Sequence, residues 1–526
     1  MAVAVAAASP PNIVWILADD LDARLLYAKM DGGTAPNLSA LRARGIHFQN
    51  HVAAQPVCGP SRSSLLQGRF PHNVGYYANE DPASVQNYVK VANNTVGTWL
   101  TAAGYHSAFI GKYVNGVESF IPQGWNFWGA FSTSKGTYNY YNATPWNITF
   151  DRAGKTPTSP IVDVPMTGIH QADFVGAWGV DQMKVAAAAG LPFFVHLTAT
   201  MVHEGTCYGP FKDTSKYALD DPFWEADLSQ GFGCTADNAQ TCSITISPCP
   251  SDKHKHDFDG QTYPHLPNWN VSEAGNVPKV MAKNPALLPY EKGRQDMGFR
   301  NRSAAIEDLD DMIGVVLKGI DDLGVSSSTW VIFTSDNGFH MGEHRMLFGK
   351  EHPYEHDTNL PMFVAGPGVV PNSTLLHPTN HLDITATVVE LAGATATGPP
   401  LDGLSFASQL TAPGDPASWR DFSFIEYFEN ANTWQSIRRP LAGDRTVFTQ
   451  WCQDNQEVFD LDADPYEINN LDGTSRGAAV EARDLPLAFT LGTCSGAACN
   501  QPSPGKPPKH PLACKNTTKG RGEGWW

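Results

Sequence analysis

Asn12-Ile13-Val14-Trp15-Ile16-Leu17-Ala18-Asp19-Asp20 is the stretch that decides the fold of this chain. The run from Ile13 to Ala18 is apolar throughout, which is typical of a strand buried on both faces of a parallel sheet. Two carboxylates follow directly. Because ligand sites in such sheets lie outside the carboxyl ends of the strands, Asp19 and Asp20 mark a candidate site.

Strands and helices alternate along the rest of the first four hundred residues. Helices are predicted at 36–41 (opened by Thr34-Ala35-Pro36 and closed by Gly45), 96–103, 170–189, 300–323 and 382–392, and strands at 46–52, 105–110, 192–198, 329–335 and 362–365. This alternation predicts an α/β fold, with a large and mostly parallel sheet sandwiched by helices.

The chain of 526 residues is long enough for more than one domain. Residues 1–410 are predicted to form the larger α/β domain, in which the irregular segment 204–298 is an insertion or lid. Residues 411–526 are predicted to form a smaller C-terminal α+β domain with strands at 422–428, 445–451 and 457–461. A disulfide-rich, Pro-rich tail ends it.

The composition and net charge exclude some classes of protein and of binding partner. With 42% hydrophobic and 17% charged residues the chain is typical of globular proteins, and it holds no apolar run long enough for a membrane span. The net charge of −17 argues against nucleic acid as a partner, since phosphate binding needs an excess of Lys and Arg.

Nine cysteines are present, and setting Cys58 aside leaves eight that could form four disulfides of unknown pairing. These are Cys207, Cys234, Cys242, Cys249, Cys452, Cys494, Cys499 and Cys514. Glycosylation sequons begin at Asn37, Asn93, Asn142, Asn147, Asn270, Asn301, Asn372 and Asn516. Together they predict a protein of the secretory pathway, located outside the cell, in the cell wall or in a lysosome or vacuole. The apolar start, residues 1–9, is too short for a complete signal peptide and is interpreted as a remnant of one or as an artefact of the gene model.

A short helix is predicted to begin near Cys58. The segment Cys58-Gly59-Pro60-Ser61-Arg62 introduces small and apolar residues, with Ser63 or a neighbour expected to cap the helix and Gly68 to end it. Cys58 would lie at the N-terminus, where the helix dipole favours negative charge, and Arg62 would share its face.

Oxygen ligands recur at a second strand end. Asp336 and Asn337 follow the strand predicted at 329–335, as Asp19 and Asp20 follow the first. Carboxylate and amide oxygens without imidazole suit a hard cation, Ca²⁺ or Mg²⁺. Four positively charged or basic side chains come from separate elements: Arg62, Lys112, His203 and Lys350. Together they could neutralise the oxygens of a tetrahedral anion.

The segment 58–62, continued by Gly68-Arg69, resembles the signature of the type I sulfatases, and the likeness extends over residues 12–471. It implies an alkaline-phosphatase-like fold. In that family the cysteine is oxidised to formylglycine by a formylglycine-generating enzyme, and the hydrate of the aldehyde attacks sulfur. The resemblance therefore implies hydrolysis of a sulfate monoester, an aryl sulfate or a sulfated sugar.

Further positions match the family. By resemblance, Ca²⁺ would be held by Asp19, Asp20, residue 58, Asp336 and Asn337, and sulfate would be bound by Arg62, Lys112, His203 and Lys350. Tyr354-Glu355, Leu360-Pro361 and residues 459–467 also resemble family segments.

Two positions depart from the common pattern. Asn115 stands where many sulfatases have a histidine, and it cannot take up a proton near neutral pH. The asparagine at position 115 and the segments 124–128 and 138–142 are similar to those of N-acetylglucosamine-6-sulfatases, extracellular endosulfatases and algal arylsulfatases. Asn115 and His340 are predicted to bind substrate, and His340 is a candidate for the missing base. Asn359 replaces a residue that is usually basic.

Two other histidine motifs have simpler interpretations. His340-Met341-Gly342-Glu343-His344 matches an inverted zinc-protease pattern, but that site needs a helix, which Gly338 and Gly342 disfavour here. His254-Lys255-His256 is interpreted as a solvated loop.

Two alternative functions remain open: a phosphate ester hydrolase, and a catalytically silent protein that binds sulfated glycans.

Overall fold

The computed structural model describes residues 10–79, 81–117, 120–131, 138, 140–205, 247–414, 419–429, 432–452 and 455–502. Its strands are β1 (Asn12–Ala18), β2 (Ile46–Phe48), β3 (His51–Val52), β4 (His106–Gly111), β5 (Phe127–Ala130), β6 (Trp146–Thr149), β7 (Val162–Asp163), β8 (Phe193–Thr198), β9 (Thr329–Ser335), β10 (His340–Met341), β11 (Phe348–Gly349), β12 (Asn359–Leu360), β13 (Met362–Ala365), β14 (Ser373–Leu375), β15 (Thr379–Asn380), β16 (Ser423–Tyr427), β17 (Trp434–Arg439), β18 (Thr446–Trp451) and β19 (Gln456–Asp460).

The helices are α1 (Ala23–Asp31), α2 (Pro36–Arg44), α3 (Cys58–Gln67), α4 (Pro71–Val74), α5 (Pro82–Val91), α6 (Val96–Ala102), α7 (Gln171–Ala188), α8 (Pro289–Asp322), α9 (Glu355–Thr358), α10 (His381–Leu391), α11 (Ala407–Thr411) and α12 (Ser475–Leu491). Short 3₁₀ turns lie at Met281–Lys283, Ser326–Ser328 and Gly496–Cys499. Within the described ranges, no helix combines the length and apolar character needed to cross a lipid bilayer.

A ten-stranded sheet organises the larger part of the molecule, in the order β14-β2-β13-β9-β1-β8-β4-β5-β6-β7. The five strands from β9 to β5 in this order are parallel. Antiparallel strands β13 and β6 flank them. The predicted α/β class with a mostly parallel sheet is therefore confirmed, although the edges of the sheet are mixed.

The apolar stretch Asn12–Ala18 forms the central strand β1, and its side chains alternate between two cores. Val14 and Ile16 pack under α7 and α8 on one face. Trp15 and Leu17 pack on the other face, with residues of α3, α6 and α10. Burial on both faces explains why the stretch carries no polar alternation.

A second sheet follows, with β16, β17, β18 and β19 in antiparallel order. Helix α12 packs on it, and the shared core includes Ala54, Phe70 and Leu382 from the larger part of the chain. The expected smaller α+β unit is therefore present, packed against the large sheet. The exact boundary at residue 410 stays a prediction.

Three local predictions were wrong. The predicted strand 46–52 divides into β2 in the large sheet and β3 in a separate three-stranded sheet. The helix expected to begin at residue 300 begins at Pro289, because Pro suits the first helical position and Glu291 accepts a hydrogen bond from the Leu288 backbone at 2.5 Å. Ser63 does not cap α3, since the helix already begins at Cys58 after the extended Val57.

Some predictions fall outside the described residues. They concern residues 1–9, most of the insertion (206–246), Cys207, Cys234, Cys242, Cys514, Asn516 and the tail beyond residue 502. Cys494 and Cys499 form a disulfide. Cys249 and Cys452 are also disulfide-bonded. Among the described cysteines, Cys58 alone is free.

Candidate active site

Residue 58 begins α3 in the interior of the protein. Cys58 is fully buried, and Gly68 ends the helix in the left-handed conformation with φ of 63°. The Gly59 backbone N–H donates to Asn79 Oδ1 at 2.7 Å, which satisfies one of the amides at the helix start. The prediction that Cys58 lies at a helix N-terminus is confirmed.

The two predicted oxygen pairs converge on Cys58. Asp19 Oδ1 and Asp20 Oδ1 lie 3.6 and 3.9 Å from Cys58 Sγ. The Asp20 backbone N–H donates to Asp336 Oδ1 at 3.1 Å, and Asn337 Nδ2 donates to Asp20 Oδ1 at 2.6 Å. This follows from the sheet, since β1 and β9 are parallel neighbours and the residues after them emerge side by side.

Two oxygens of this group have no hydrogen-bond partner. Asp20 Oδ2 and Asn337 Oδ1 are buried, and neither accepts a hydrogen bond from the residues that the structure describes. Such atoms are costly to bury unless something else coordinates them. The oxygens of Asp19, Asp20, Asp336 and Asn337 are of the kind that Ca²⁺ prefers, so these residues fit a hard cation.

Three buried cations balance the three carboxylates. Lys112 Nζ lies 2.7 Å from Asp19 Oδ2, and Arg62 Nε lies 2.8 Å from Asp336 Oδ2. Lys350 Nζ lies 2.6 Å from Asp20 Oδ1 and 2.8 Å from Cys58 Sγ. All three cations therefore face residue 58, from different elements of the fold.

Electrostatics keep these groups charged but leave the thiol neutral. Burial opposes ionisation of Asp19, but Lys112 and Arg62 outweigh it and hold the pKa of Asp19 below its ordinary value. Burial raises the pKa of Cys58 well above that of a free thiol, despite Lys112 and Lys350. An unmodified Cys58 would therefore be a poor nucleophile, because the thiolate is the reactive form.

His203 follows β8 and faces the same group. Its Nδ1 lies 2.6 Å from the Glu204 carbonyl oxygen, which can only accept, so Nδ1 carries the proton and donates. Nε2 is then the unprotonated nitrogen, and it lies 3.5 Å from Asp20 Oδ2. Burial lowers the pKa of His203 although Asp20 and Asp19 oppose this, so the ring is neutral near pH 7.

Each of the two predicted substrate-binding residues contacts a side chain outside the group of carboxylates and cations around Cys58. Asn115 Nδ2 donates to the Tyr138 hydroxyl at 3.0 Å. His340 Nδ1 lies 2.9 Å from Asp357 Oδ1, and His340 pairs with Gly349 across β10 and β11, next to Lys350. His340 is thus in a strand, so the inverted zinc-protease motif does not have the helix it needs.

Sequence reasoning missed two residues of the site. The Tyr138 ring stacks on His203 at 4.4 Å between centroids and lies 4.8 Å from Lys112 Nζ. Arg302 on α8 donates to the backbone carbonyls of Asp20 at 2.6 Å and Val202 at 3.2 Å. Arg302 could have been found, because it lies one turn before Ile306 on the apolar face of its helix. Tyr138 belongs to residues 138–142, a segment that resembles the family, but no periodic pattern assigns its side chain to the site.

Known proteins share this architecture. The sulfatase family model matches residues 11–394, and the model of the N-sulphoglucosamine sulphohydrolase C-terminal region matches residues 342–485. An arylsulfatase from Volvox carteri is 27% identical, over 95% of this chain and 77% of its own length. An N-acetylglucosamine-6-sulfatase from Capra hircus is 25% identical, over 94% of this chain and 85% of its own length.

Solved structures show the same fold. A protein in complex with its substrate D-glucosamine-2-N,6-O-disulfate superposes with a TM-score of 0.69 at 19% identity, over 91% of this chain and 97% of that one. A phosphonate monoester hydrolase from Silicibacter pomeroyi superposes with a TM-score of 0.60 at 19% identity, over 93% of this chain and 96% of that one.

Proposed function

Because this chain belongs to the sulfatase family, we propose that it uses a formylglycine made from Cys58 and a bound Ca²⁺ to release sulfate from an aryl sulfate or a sulfated sugar. Hydrolysis of sulfuric esters is the activity of the family. The observation that carries the proposal of a formylglycine and a bound ion is the position of Cys58, buried 3.6 and 3.9 Å from two carboxylates and 2.8 Å from Lys350.

Several described residues support the proposed formylglycine and Ca²⁺. Residue 58 is the free cysteine of the described chain, and Asp19, Asp20, Asp336 and Asn337 would hold the ion. When present, the formylglycine supplies an oxygen nucleophile and the Ca²⁺ supplies positive charge beside the sulfate oxygens. A neutral, buried thiol would not provide such a nucleophile.

The chain's own side chains bind the anion and move protons. Arg62, Lys112 and Lys350 point their charges at one place, which suits the oxygens of a sulfate ester. Burial lowers the pKa of Lys350, but the neighbouring acidic groups, Asp20 foremost, together outweigh burial and hold that pKa well above its ordinary value. Lys350 is therefore protonated and can donate to the departing alcohol oxygen. Neutral His203 presents Nε2, which can accept a proton and pass it on.

Mass spectrometry of the tryptic peptide 45–62 tests the modification. We expect an aldehyde at position 58 in protein from a secreting host, and turnover of nitrophenyl sulfate by the same sample. Cys58→Ala should abolish turnover. Ser64→Ala is the matched control on the same helix, because the Ser64 hydroxyl is buried without a hydrogen-bond partner among the described residues. An unmodified thiol in a fully active sample would refute the proposal.

Chelation tests the ion. Removal of divalent cations should lower sulfatase activity at least about tenfold, because three clustered carboxylates would lose their bound charge. Ca²⁺ should restore activity, and Mg²⁺ should do so less well. Full activity after exhaustive chelation would exclude the metal.

A phosphate ester hydrolase is the second candidate, because a phosphonate monoester hydrolase shares the fold. Two-zinc relatives would need histidine where this chain has Asn337. Matched assays with nitrophenyl sulfate and nitrophenyl phosphate separate the two functions, and we expect the sulfate to be preferred.

Binding of sulfated glycan without release of sulfate would instead indicate a silent binding protein. A panel that adds 6-sulfated glucosamine oligosaccharides addresses the substrate.

The proposed location is the secretory pathway, the cell exterior, the cell wall or a lysosome or vacuole. Disulfide bonds at Cys249, Cys452, Cys494 and Cys499 support an oxidising compartment. Relatives that include an extracellular sulfatase homologue from Drosophila melanogaster support it further. A formylglycine-generating enzyme would be the partner during maturation.

A further inference from the structure

The loop that contains His254 is packed against the long helix α8. The Ser251 backbone N–H donates to Asp308 Oδ2 at 2.7 Å, and Phe258 is buried beneath the loop. His254 itself has a side chain that is only 12% exposed. The interpretation of residues 254–256 as a solvated loop is therefore wrong for His254.

Three side chains converge on one face of this loop. His254 Nδ1 lies 2.9 Å from Asp257 Oδ2 and 3.0 Å from Glu307 Oε2. The three ligand atoms of His254, Asp257 and Glu307 all lie within 4.8 Å of one another. Ligands bound to Zn²⁺ at about 2.1 Å in a tetrahedron are about 3.4 Å apart, so small shifts would admit the ion.

Hydrogen bonding leaves this group incomplete. His254 Nδ1 lies within 3.0 Å of both Asp257 Oδ2 and Glu307 Oε2, but it carries at most one proton and its hydrogen bond goes to Asp257. The buried Glu307 Oε2 is therefore left with an ion-pair contact to the same nitrogen in place of a hydrogen bond of its own among the described residues. Two carboxylates face a single imidazole here, so a divalent cation would complete both the bonding and the charge.

The other nitrogen of the same imidazole has the partner that a metal ligand usually has. His254 Nε2 lies 3.0 Å from Asp311 Oδ2. Histidines that bind metals commonly donate the opposite N–H to a carboxylate, which fixes the tautomer and leaves the ligating nitrogen free. Lys253 forms an ion pair with Asp311 and balances that carboxylate, so Asp311 is not needed as a ligand.

We propose that His254, Asp257 and Glu307 bind a Zn²⁺ ion that joins the loop to α8. The imidazole favours zinc over the oxygen-seeking Ca²⁺ and Mg²⁺. Asp257 is 47% exposed, so the ion can enter from solvent and the fourth position can hold water. The site is separate from the cluster around Cys58 and does not depend on the proposed hydrolytic function. Its effect is on the stability of the helix that carries Arg302.

The test is a Zn²⁺ titration of the full chain, stripped of metal and then saturated with Ca²⁺ to occupy the cluster at Cys58. Calorimetry should find one Zn²⁺ more per chain in the wild type than in His254→Gln, and Zn²⁺ should raise the Tm of the wild type and of the control variant but not of His254→Gln. Asp311→Asn should weaken binding about 10-fold to 100-fold. His256→Gln is the matched control, because His256 lies on the same loop but contacts Asp259 instead.

Co²⁺ gives a second readout. We expect the absorption bands of tetrahedral Co²⁺ in the wild type and in Cys58→Ala, and their loss in His254→Gln and Asp257→Asn. Asp257 is half-exposed, so its variant should fold. Equal Zn²⁺ affinity in the wild type and His254→Gln, or Co²⁺ bands that vanish only in Cys58→Ala, would overturn the proposal.

Discussion

Tyr138 holds several site residues together through one ring. Its face stacks on His203, its ring lies beside the Lys112 ammonium, and its hydroxyl accepts from Asn115. Stacking restrains the imidazole, so that Nε2 keeps its direction toward Asp20. Asn115, the departure from the common family pattern, thus contacts His203 and Lys112 only through the Tyr138 ring among the contacts of the described residues.

Replacement of this ring should therefore affect the reaction more than binding. We expect Tyr138→Leu to lower kcat at least about tenfold, because a cation–π contact and a stacked ring are each worth roughly 1 kcal/mol. Tyr138→Phe keeps the ring and loses one hydrogen bond, so its kcat should fall no more than about fivefold. Steady-state kinetics on nitrophenyl sulfate measure both. Equal losses in the two variants would show that the ring itself has no role.

At this scale the sequence predicted the residues that follow buried strands. Asp19, Asp20, Asp336 and Asn337 could be grouped because parallel strands deliver their carboxyl ends to one edge. His254 could not be understood in the same way. Its partners Glu307 and Asp311 lie far along the chain on α8, and no local pattern indicates which helix a loop will pack against.

Among the elements, β4 ends in a glycine that the sheet requires. Gly111 has φ of 113°, and a Cβ there would lie 2.1 Å from the Thr198 carbonyl oxygen on β8. The same carbonyl accepts the Lys112 backbone N–H at 2.8 Å. The close approach of these two strands therefore fixes where Lys112 enters the site.

Gly111→Ala should destabilise the protein and impair the site together. The energetic cost of the backbone strain and that of the clash with Thr198 are expected to sum, so we expect the free energy of unfolding to fall by about 3–5 kcal/mol. Gly104→Ala is the matched control, because Gly104 has φ of 94° but open space around its Cβ, and strain alone should cost about 1–2 kcal/mol. Urea unfolding measures both. If the two variants were equally stable, the approach to Thr198 would not matter.

The sequence predicted strands and helices correctly where their apolar residues form a strong pattern. It failed where contacts with distant parts of the chain stabilise an element whose own pattern is weak. Strands β1, β8 and β9 were evident as apolar runs. Strand β17 was missed because Trp434–Arg439 includes two arginines, both buried through ion pairs to Asp421, Asp484 and Glu467. The sequence did not predict the first eleven residues of α8, because they are mostly polar. The hydrogen bond at the start of this helix, from the Leu288 backbone N–H to the Glu291 carboxylate, gives no apolar pattern either.

At the scale of the whole molecule, His72 links helix α4 to the four-stranded sheet and to the segment after α12. His72 on α4 places Nδ1 2.8 Å from Glu426 Oε1 on β16 and Nε2 3.0 Å from the Cys494 carbonyl oxygen. Both nitrogens face acceptors, so the ring must carry two protons to satisfy them. Burial alone would lower the pKa of His72, but Glu426 and the Cys494 carbonyl outweigh it and raise the pKa to about 9.

This junction should make stability depend on pH in the alkaline range. A pKa raised from 6.5 to about 9 on folding adds stability that is fully present below pH 6.5 and is lost as the pH rises through 9. We expect His72→Gln to lower the free energy of unfolding by about 2–3 kcal/mol near pH 6, and the difference from the wild type to shrink steadily toward about pH 10. Asn73→Ala removes hydrogen bonds to Asp402 and the same Cys494 carbonyl without removing a titrating group, so its cost should be constant across this range. Urea unfolding of the three proteins at several pH values measures the differences. A His72→Gln cost that does not vary with pH would mean that the imidazole is neutral in the folded protein.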